Sequence, residues 1–402
     1  DHHQPLPEFP AAYAVVHPAK GSYINQDPCG AAVAFYLVCA FLERYGTDYG
    51  VPVGWEKWLL DLVGFATLSD MVPLVGENRM LAYYGLQVIK KTRRIGLRLL
   101  LEKNNIYLNN LTETDLTFTV APRLNAASRM DTPMLAFDLL ATDDPTRAHQ
   151  IVCTLEEINT LRKTLVAQIT KAAHATIEHR ALGGGLGEIV VVGNPDWRPA
   201  VLGLVANKLV ETYGKSFFVW GEAGDGSIKG SCRMIDEHHA ALLFQALPEG
   251  MVLHAGGHQA AGGFAVAKDK IHFLEDALNQ ALTLVDHTAD TTHSVEAIEL
   301  PLACATARHL GVVRRFAPFG VGNTEPMFLF EQVRVVSTKR FGKQKEHLEA
   351  MLQDETGSAT SFTFFAPDAL IEKLAPGAIV SVLGTLEAGW RGGVRVRIKE
   401  VR

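Results

Sequence analysis

The run GAAVAFYLVCAFLERYG, following Asp27-Pro28-Cys29, predicts a helix with Asp27 as N-cap, Pro28 at the first helical position and Gly46 after its end. Residues 55–68 are apolar at helical spacing and close on Ser69-Asp70, and a further helix is predicted from Arg79 to Leu101. From Thr146 to about His179 the pattern is one long helix. Ile151, Leu155, Ile158, Leu161, Leu165, Ile169 and Ala172 recur at steps of three and four. A helix of roughly 30 residues, against a globular mean of about 11–12, is expected to span two domains. The glycine run 183–187 then reads as a flexible joint. It is not a dinucleotide loop, because the strand EIVVVGN follows it instead of preceding it.

Beyond the joint, strands and helices alternate. A strand over 188–193 leads to a helix from Pro199 to Tyr213 capped by Gly214. Strands over 217–221 and 227–232, a helix around 238–247 and a glycine-rich turn follow, and the unit ends near residue 285. Residues 286–294 are polar and read as a linker. From about residue 327 the pattern is almost purely β, and five short strands predict a small closed barrel of the OB type. The expected fold class is α/β: residues 1–145 as the remainder of a first domain, a connecting helix over 146–182, an α/β domain over 183–285 and the barrel over 294–402.

The length of 402 residues suits two or three domains. No apolar run approaches the ~20 residues that a membrane span needs. The five cysteines are scattered, which disfavours a disulfide framework or zinc ribbon and makes a reducing cytoplasm the default. A net charge of −6 does not exclude a polyanionic partner, since binding depends on where the positive charge sits. The basic clusters Lys90 to Arg98 and Lys339 to Lys345 read first as solvated surface. Asp236-Glu237-His238-His239 offers metal-competent side chains in a row. Adjacent residues on a helix do not face one another, so the acidic pair reads as a helix start.

Five segments, in order, resemble the RecJ family of DHH phosphoesterases. They are Asp1-His2-His3-Gln4-Pro5; Phe65 to Leu74, carrying Asp70; Ala121 to Asp131; the group Trp197 to Ala206, Lys229 to Arg233 and Gly256 to Gly263; and a terminal β domain opened by Phe319-Gly-Val-Gly-Asn-Thr-Glu-Pro. The resemblance implies a DHH domain, a substrate-binding DHHA domain and an OB fold. It implies a 5′-to-3′ exonuclease on single-stranded DNA in repair and recombination, working with two Mn²⁺ or Mg²⁺ ions. Two such ions activate water and clamp the attacking and leaving oxygens of a phosphodiester. Carried over, His2 and Asp70 are metal ligands, Asp1 orients its neighbours and His3 sits by the reacting phosphate.

The resemblance also implies substrate contacts at Arg123, Asn125, Arg129, Ser231, Arg233, Gly256, Gly257 and His258. Ser231 and Arg233, two apart on a strand, share a face and suit a phosphate. Glycines at 256 and 257 let a backbone come close to a phosphate or ribose. The family's first two carboxylate motifs are missing, so the chain is expected to be an amino-terminally truncated and inactive piece of its parent. Single-stranded DNA is the expected partner, a monomer the expected state, and a single-strand-binding protein and a helicase are left open. Two alternatives remain: a DHH oligoribonuclease or cyclic-dinucleotide phosphodiesterase, and a non-catalytic DNA-binding relative. The barrel, with Phe330, Phe341, Phe362, Phe364 and Phe365 offered for base stacking, argues for long polymers.

Overall fold

The computed structural model describes residues 11–20, 22–130, 132–235, 238–257, 260–285, 296–342, 345–364, 366–389 and 392–402. Asp1, His2, His3, His258, Asp236, Glu237 and Phe365 lie outside the described residues. In chain order the first helices are α1 (Gly30–Tyr45), α2 (Leu60–Ser69), α3 (Gly76–Ile89), α4 (Ile95–Lys103), the single turn α5 (Glu113–Asp115), α6 (Ala121–Arg129), α7 (Met134–Ala141) and α8 (Pro145–Leu182). Then come β1 (Ile189–Gly193), α9 (Leu202–Tyr213), β2 (Ser216–Glu222), β3 (Ile228–Arg233), α10 (Ala240–Ala246), β4 (His254–Gly257), β5 (Ala261–Val266) and α11 (Leu274–Leu284). The chain closes with β6 (Ala297–Glu299), α12 (Ala307–Val313), β7 (Met327–Phe341), β8 (His347–Gln353), β9 (Ser358–Thr363), α13 (Asp368–Lys373), β10 (Ile379–Ala388) and β11 (Val394–Val401).

Two compact units result, each discontinuous in sequence. One gathers the described residues of 1–93, 105–119 and 293–402; the other gathers those of 94–104 and 120–292.

In the first unit the strands β7, β8, β9, β11 and β10 follow one another, and β10 pairs back onto β7. β11 and β9 run parallel and the other barrel pairs run antiparallel. Closure removes free edges, and α13 lies between the third and fourth strands of the barrel. This is the arrangement of an OB fold. Phe330, Val333, Leu352, Val382 and Val396 fill the interior. Phe330 and Phe362 are fully buried, so neither can stack on a base as the sequence suggested.

Helices α2 and α3 of this unit cross at contact distance. A Cβ on Gly64 would lie 2.6 Å from the Gly85 Cα, and one on Gly85 would lie 2.5 Å from the Gly64 Cα. Only hydrogen fits at that crossing.

In the second unit the sheet order is β1-β2-β3-β5-β4, with β1–β2 parallel and the remaining pairs antiparallel. Val166, Ile169, Ala173 and Ile177 of α8 pack with α9 on the face that carries Val190, Val192, Phe217 and Val219. Helices α10 and α11 cover the opposite face, over Ile189, Phe218, Ile228, Cys232 and Phe264.

Three local expectations change. The N-cap of α1 is Cys29, and the Asp27 carbonyl instead accepts a hydrogen bond from Asn78 Nδ2 at 2.7 Å. The helix expected over 79–101 is two helices, because the polar stretch between them has partners elsewhere. Thr92 donates to Asp61, the Arg93 guanidinium stacks 4.1 Å over the Trp58 ring, and Arg94 donates to the Leu140 carbonyl. That part of the basic cluster is therefore not a free solvated face. The buried stripe of α8 runs through Ile151, Leu155, Asn159, Val166, Ile169, Ala173 and Ile177, whereas Leu161 is 57% exposed. A buried asparagine interrupts the stripe and hid its phase.

Gly85→Ala should destabilise the protein by about 1–3 kcal/mol, the usual cost of overpacking a close crossing. Gly311→Ala, in α12 with open space around its added methyl, should be neutral or stabilising by up to ~1 kcal/mol. Denaturant titration of the two variants checks the contrast; equal midpoints would contradict the close crossing.

Candidate nucleic-acid interface

The second unit carries all of the described residues that the sequence nominated for substrate contact. Arg123, Asn125 and Arg129 lie on α6, and Ser231 and Arg233 on β3. Ser231 pairs with Val219 on one side and Gly263 on the other, and Gly263 pairs with Gly256. Residues directly opposite in a ladder point to one face. Ser231, Gly263 and Gly256 therefore form a row on the face that α9 partly covers. A Cβ on Gly256 would meet nothing within 4 Å and one on Gly263 only a carbonyl at 3.9 Å, so the row is an open floor of bare backbone beside the serine. Gly257 differs. It pairs with Gly262 on the opposite, core face, and a Cβ there would lie 2.3 Å from the Ala261 carbonyl oxygen. Its role is steric.

Arg233 borders the floor. Its guanidinium lies over Gly203, where an added Cβ would be 3.0 Å from Nη2, and it donates to the Cys232 carbonyl at 2.8 Å. Arg129 donates to the Ala200 carbonyl at 2.8 Å, beside the start of α9. A third arginine, Arg162 of α8, belongs to the same group. It donates to Asn159 Oδ1 at 2.8 Å, while its Nε is buried without a hydrogen-bond partner.

Burial, followed by the facing guanidiniums of Arg129 and Arg123, pulls the Arg162 pKa down; burial, opposed in part by the Cys232 thiol, and then Arg129 do the same to Arg233. Burial alone lowers Arg129. Among the described residues, none of these three arginines is paired with a carboxylate. Arg123 is: its Nε lies 2.6 Å from Glu156 Oε1, and Asn104 donates to the same oxygen at 3.0 Å. Asn125 is exposed on the same helix.

Arg162 was not among the sequence-derived contacts. Asn159 and Arg162, three apart where the α8 stripe should have been apolar, were the signal available for it.

In the first unit Asp70 ends α2. Its N–H donates to the Ala66 carbonyl at 2.9 Å, its side chain is exposed, and Met71 follows in the left-handed region at φ 57°. Asn78 holds the next segment through Nδ2, which donates to the Pro73 carbonyl at 3.0 Å, and accepts at Oδ1 from Asn25 at 2.7 Å. Nearby the Tyr23 hydroxyl donates to Glu77 at 2.5 Å, and burial with this bond pushes its pKa up to about 12. Among the described residues no three His, Cys, Asp or Glu side chains gather into a metal-holding group.

On the barrel, the Phe341, His347 and Phe364 rings sit together, with centroids 5.0 to 6.3 Å apart and Arg397 over Phe364 at 5.6 Å. Phe364 is 36% exposed, which keeps part of this cluster accessible.

The first unit thus holds a closed barrel with OB strand order, and the second a sheet face that sets arginines and a serine beside bare backbone. Residues 186–289 match the DHHA1 domain and residues 297–400 the RecJ OB domain. The single-stranded-DNA-specific exonuclease RecJ of Bacillus subtilis is 30% identical over 395 residues, covering 96% of this chain and 48% of that protein. The crystal structure of RecJ from Thermus thermophilus in complex with Mn²⁺ superimposes with a TM-score of 0.81 at 28% identity, over 100% of this chain and 57% of that one. A crystal structure of exonuclease RecJ bound to manganese matches at 30% identity and a TM-score of 0.57, over 73% of this chain and 70% of its own. The chain belongs to the RecJ family. It spans about half the length of the Bacillus subtilis relative.

Burial raises the Glu156 pKa, but hydrogen bonds from Arg123 and Asn104 outweigh it and hold the carboxyl below its usual range. A depressed carboxylate contributes stability that is present above its unfolded pKa and lost as pH falls through the folded one. The melting-temperature gap between the native protein and Glu156→Gln should therefore be widest near neutrality and close once the pH drops below the ordinary carboxylate range. A gap unchanged at acid pH would show that the carboxylate charge is not what stabilises.

Proposed function

We propose that the full-length protein is an exonuclease that removes nucleotides from the 5′ end of single-stranded DNA in repair and recombination, using two Mn²⁺ or Mg²⁺ ions. The observation that carries this reading is the presence of one arginine-flanked sheet face and one OB barrel in a chain of the RecJ family. Relatives named for single-stranded DNA, and related structures holding Mn²⁺ or Mg²⁺, support the substrate and the metals.

In this reading Arg233, Arg129 and Arg162 receive a backbone phosphate or the 5′-terminal one, since guanidinium forks match phosphate oxygens and stay charged despite crowding. Ser231 adds a hydroxyl donor, and the Gly256–Gly263 floor admits the sugar-phosphate backbone without a side chain in the way. Asn125, Arg123 and His258 extend the contact. Phe341 and Phe364 give the barrel a stacking surface for bases. Gly257 keeps the hairpin closed, and its backbone is proposed to line the same contact.

The metal ions, when bound, supply the activated water and neutralise charge on the phosphoryl group. Asp70 is the described residue that would hold one, and His2 is the second proposed ligand; Asp1 would orient its neighbouring groups and His3 would act at the reacting phosphate. A single exposed carboxylate at a helix end suits a hard cation in kind, but not in number, so no hydrolytic step is assigned to the described residues. Division into a DHH part over 1–145, a connecting helix over 146–182, a DHHA domain over 183–285 and an OB domain over 294–402 is part of the proposal. So are cytoplasmic placement, a monomeric state and cooperation with single-strand-binding protein and a helicase. Among the described residues no helix is long and apolar enough to cross a membrane.

End-labelled single-stranded and blunt duplex DNA, incubated with the full-length protein and Mn²⁺ or Mg²⁺, should separate the possibilities. Mononucleotides released from the 5′ end of the single strand only are the expected result. Replacement of Asp70 by Asn should remove most cleavage while leaving oligonucleotide binding within about threefold, because uniform binding and chemistry are lost separately. Equal digestion of duplex, or activity on short oligoribonucleotides alone, would favour the short-substrate phosphodiesterase instead.

A further inference from the structure

The Phe319-Gly320-Val321-Gly322-Asn323 turn lies between α12 and β7, and it is closed on itself. Gly320 and Asn323 exchange backbone hydrogen bonds at 3.0 and 3.2 Å, and Asn323 Nδ2 donates to the Phe316 and Pro318 carbonyls at 3.0 and 2.7 Å. Its outer surface is docked on the segment that follows Asp70. The Leu74 N–H donates to the Val321 carbonyl at 2.6 Å, and Leu74 is 2% exposed.

Both glycines of the turn are there for this contact. A Cβ on Gly320 would lie 2.9 Å from Leu74 Cδ1. One on Gly322 would lie 3.1 Å from Val75 Cγ1 and 3.6 Å from Pro73 Cβ, and Gly322 stands at φ 75°, where a side chain is strained. Two further bonds fasten the turn to the same unit: Arg79 Nη2 donates to the Phe316 carbonyl at 2.8 Å, and the Phe319 N–H donates to Glu113 at 2.9 Å.

The consequence reaches Asp70. On its amino-terminal side the residue is fixed by the α2 hydrogen bond to Ala66. On its carboxy-terminal side the chain is gripped twice within five residues, at the Pro73 carbonyl by Asn78 and at the Leu74 N–H by the turn. Met71, left-handed, turns the chain between the two grips. These grips hold the backbone on the carboxy-terminal side of Asp70 against fraying of the last helical turn.

We propose that the 316–323 turn is a positioning element that sets the direction of the Asp70 carboxylate, with Asn323 and Gly322 as its positioning residues. This rests on Asp70 acting in the proposed exonuclease. The turn does not touch DNA in this account. It acts through the backbone of residues 71–75, so it should govern turnover and not substrate capture.

The test uses the full-length protein and four variants: Asn323→Ala, Gly322→Ala, Asp70→Asn, and Val396→Ala as a barrel-core control that lowers thermal stability without removing any hydrogen bond of the turn. Melting temperature, kcat and KM on a labelled single strand, and hydrogen exchange at the Leu74 amide are measured for each. Asn323→Ala and Gly322→Ala should lower kcat between about ten- and a hundredfold with KM within about twofold, the range for a displaced catalytic group. Leu74 exchange should rise in both, while Val396→Ala keeps its kcat despite melting earlier. If kcat falls in all three in step with melting temperature, the effect is global instability and the proposal is overturned. If Asp70→Asn is inactive but Asn323→Ala turns over normally, positioning by the turn is wrong and the functional reading stands. If Asp70→Asn remains fully active, the role given to Asp70 fails, and the positioning proposal with it.

Discussion

Arg129, Arg162 and Arg233 crowd one another in a half-buried place where none is paired with a carboxylate among the described residues. Guanidinium cannot escape such crowding by losing its proton at ordinary pH. The repulsion and lost hydration are therefore standing costs of the fold, which in the proposed reading an entering phosphate would relieve. The arrangement depends on the second unit's architecture. Asn159 on α8 fixes Arg162, the start of α9 fixes Arg129, and the missing side chain at Gly203 makes room for Arg233. Glu156 neutralises only Arg123, at the margin of the group. A sheet face flanked by positive charge in this way suits the phosphate of the proposed reading better than it suits a neutral ligand.

Register then decides what lies beside the charge. In the β3–β5–β4 ladder one row reads Ser231, Gly263, Gly256, and the next reads Cys232, Gly262, Gly257. The first is open; the second is packed against Phe244 and the core. A slip of one residue would turn the open floor inward and the core outward. The glycines of this hairpin thus divide into those that leave space for a ligand and those that leave space for the protein itself.

Much of this was legible in the sequence, and the exceptions share a cause. The α/β alternation from residue 188, the Gly214 cap and the strand-rich terminus follow from local spacing and turn chemistry. The Ser231 and Arg233 pairing followed from strand alternation alone. What local pattern could not show was long-range partnership. The 79–101 helix breaks because Thr92, Arg93 and Arg94 find partners on other elements, and the α8 stripe changes phase because Asn159 is buried with Arg162. Phe330 and Phe362 looked like surface aromatics, but barrel closure turns Phe330 inward. Phe362, on the outer face of β9, is covered by the Arg395 guanidinium 3.7 Å over its ring and by Phe364. Gly257 looked like its neighbour Gly256, and only the ladder separates them. The grip on Leu74 joins residues nearly 250 positions apart, beyond the reach of any spacing rule.

The central claim, that the arginine group receives a phosphate, is tested most directly by the salt dependence of binding. Fluorescence anisotropy with a 5′-phosphorylated single strand and its 5′-hydroxyl counterpart would compare the native protein with Arg233→Ala. Each phosphate neutralised on a single strand contributes about −0.7 to the slope of log affinity against log salt. The account predicts that the native protein prefers the phosphorylated end, and that Arg233→Ala loses this preference together with about 0.7 of the slope. An unchanged slope, with the preference for the 5′-phosphate intact in the variant, would contradict it.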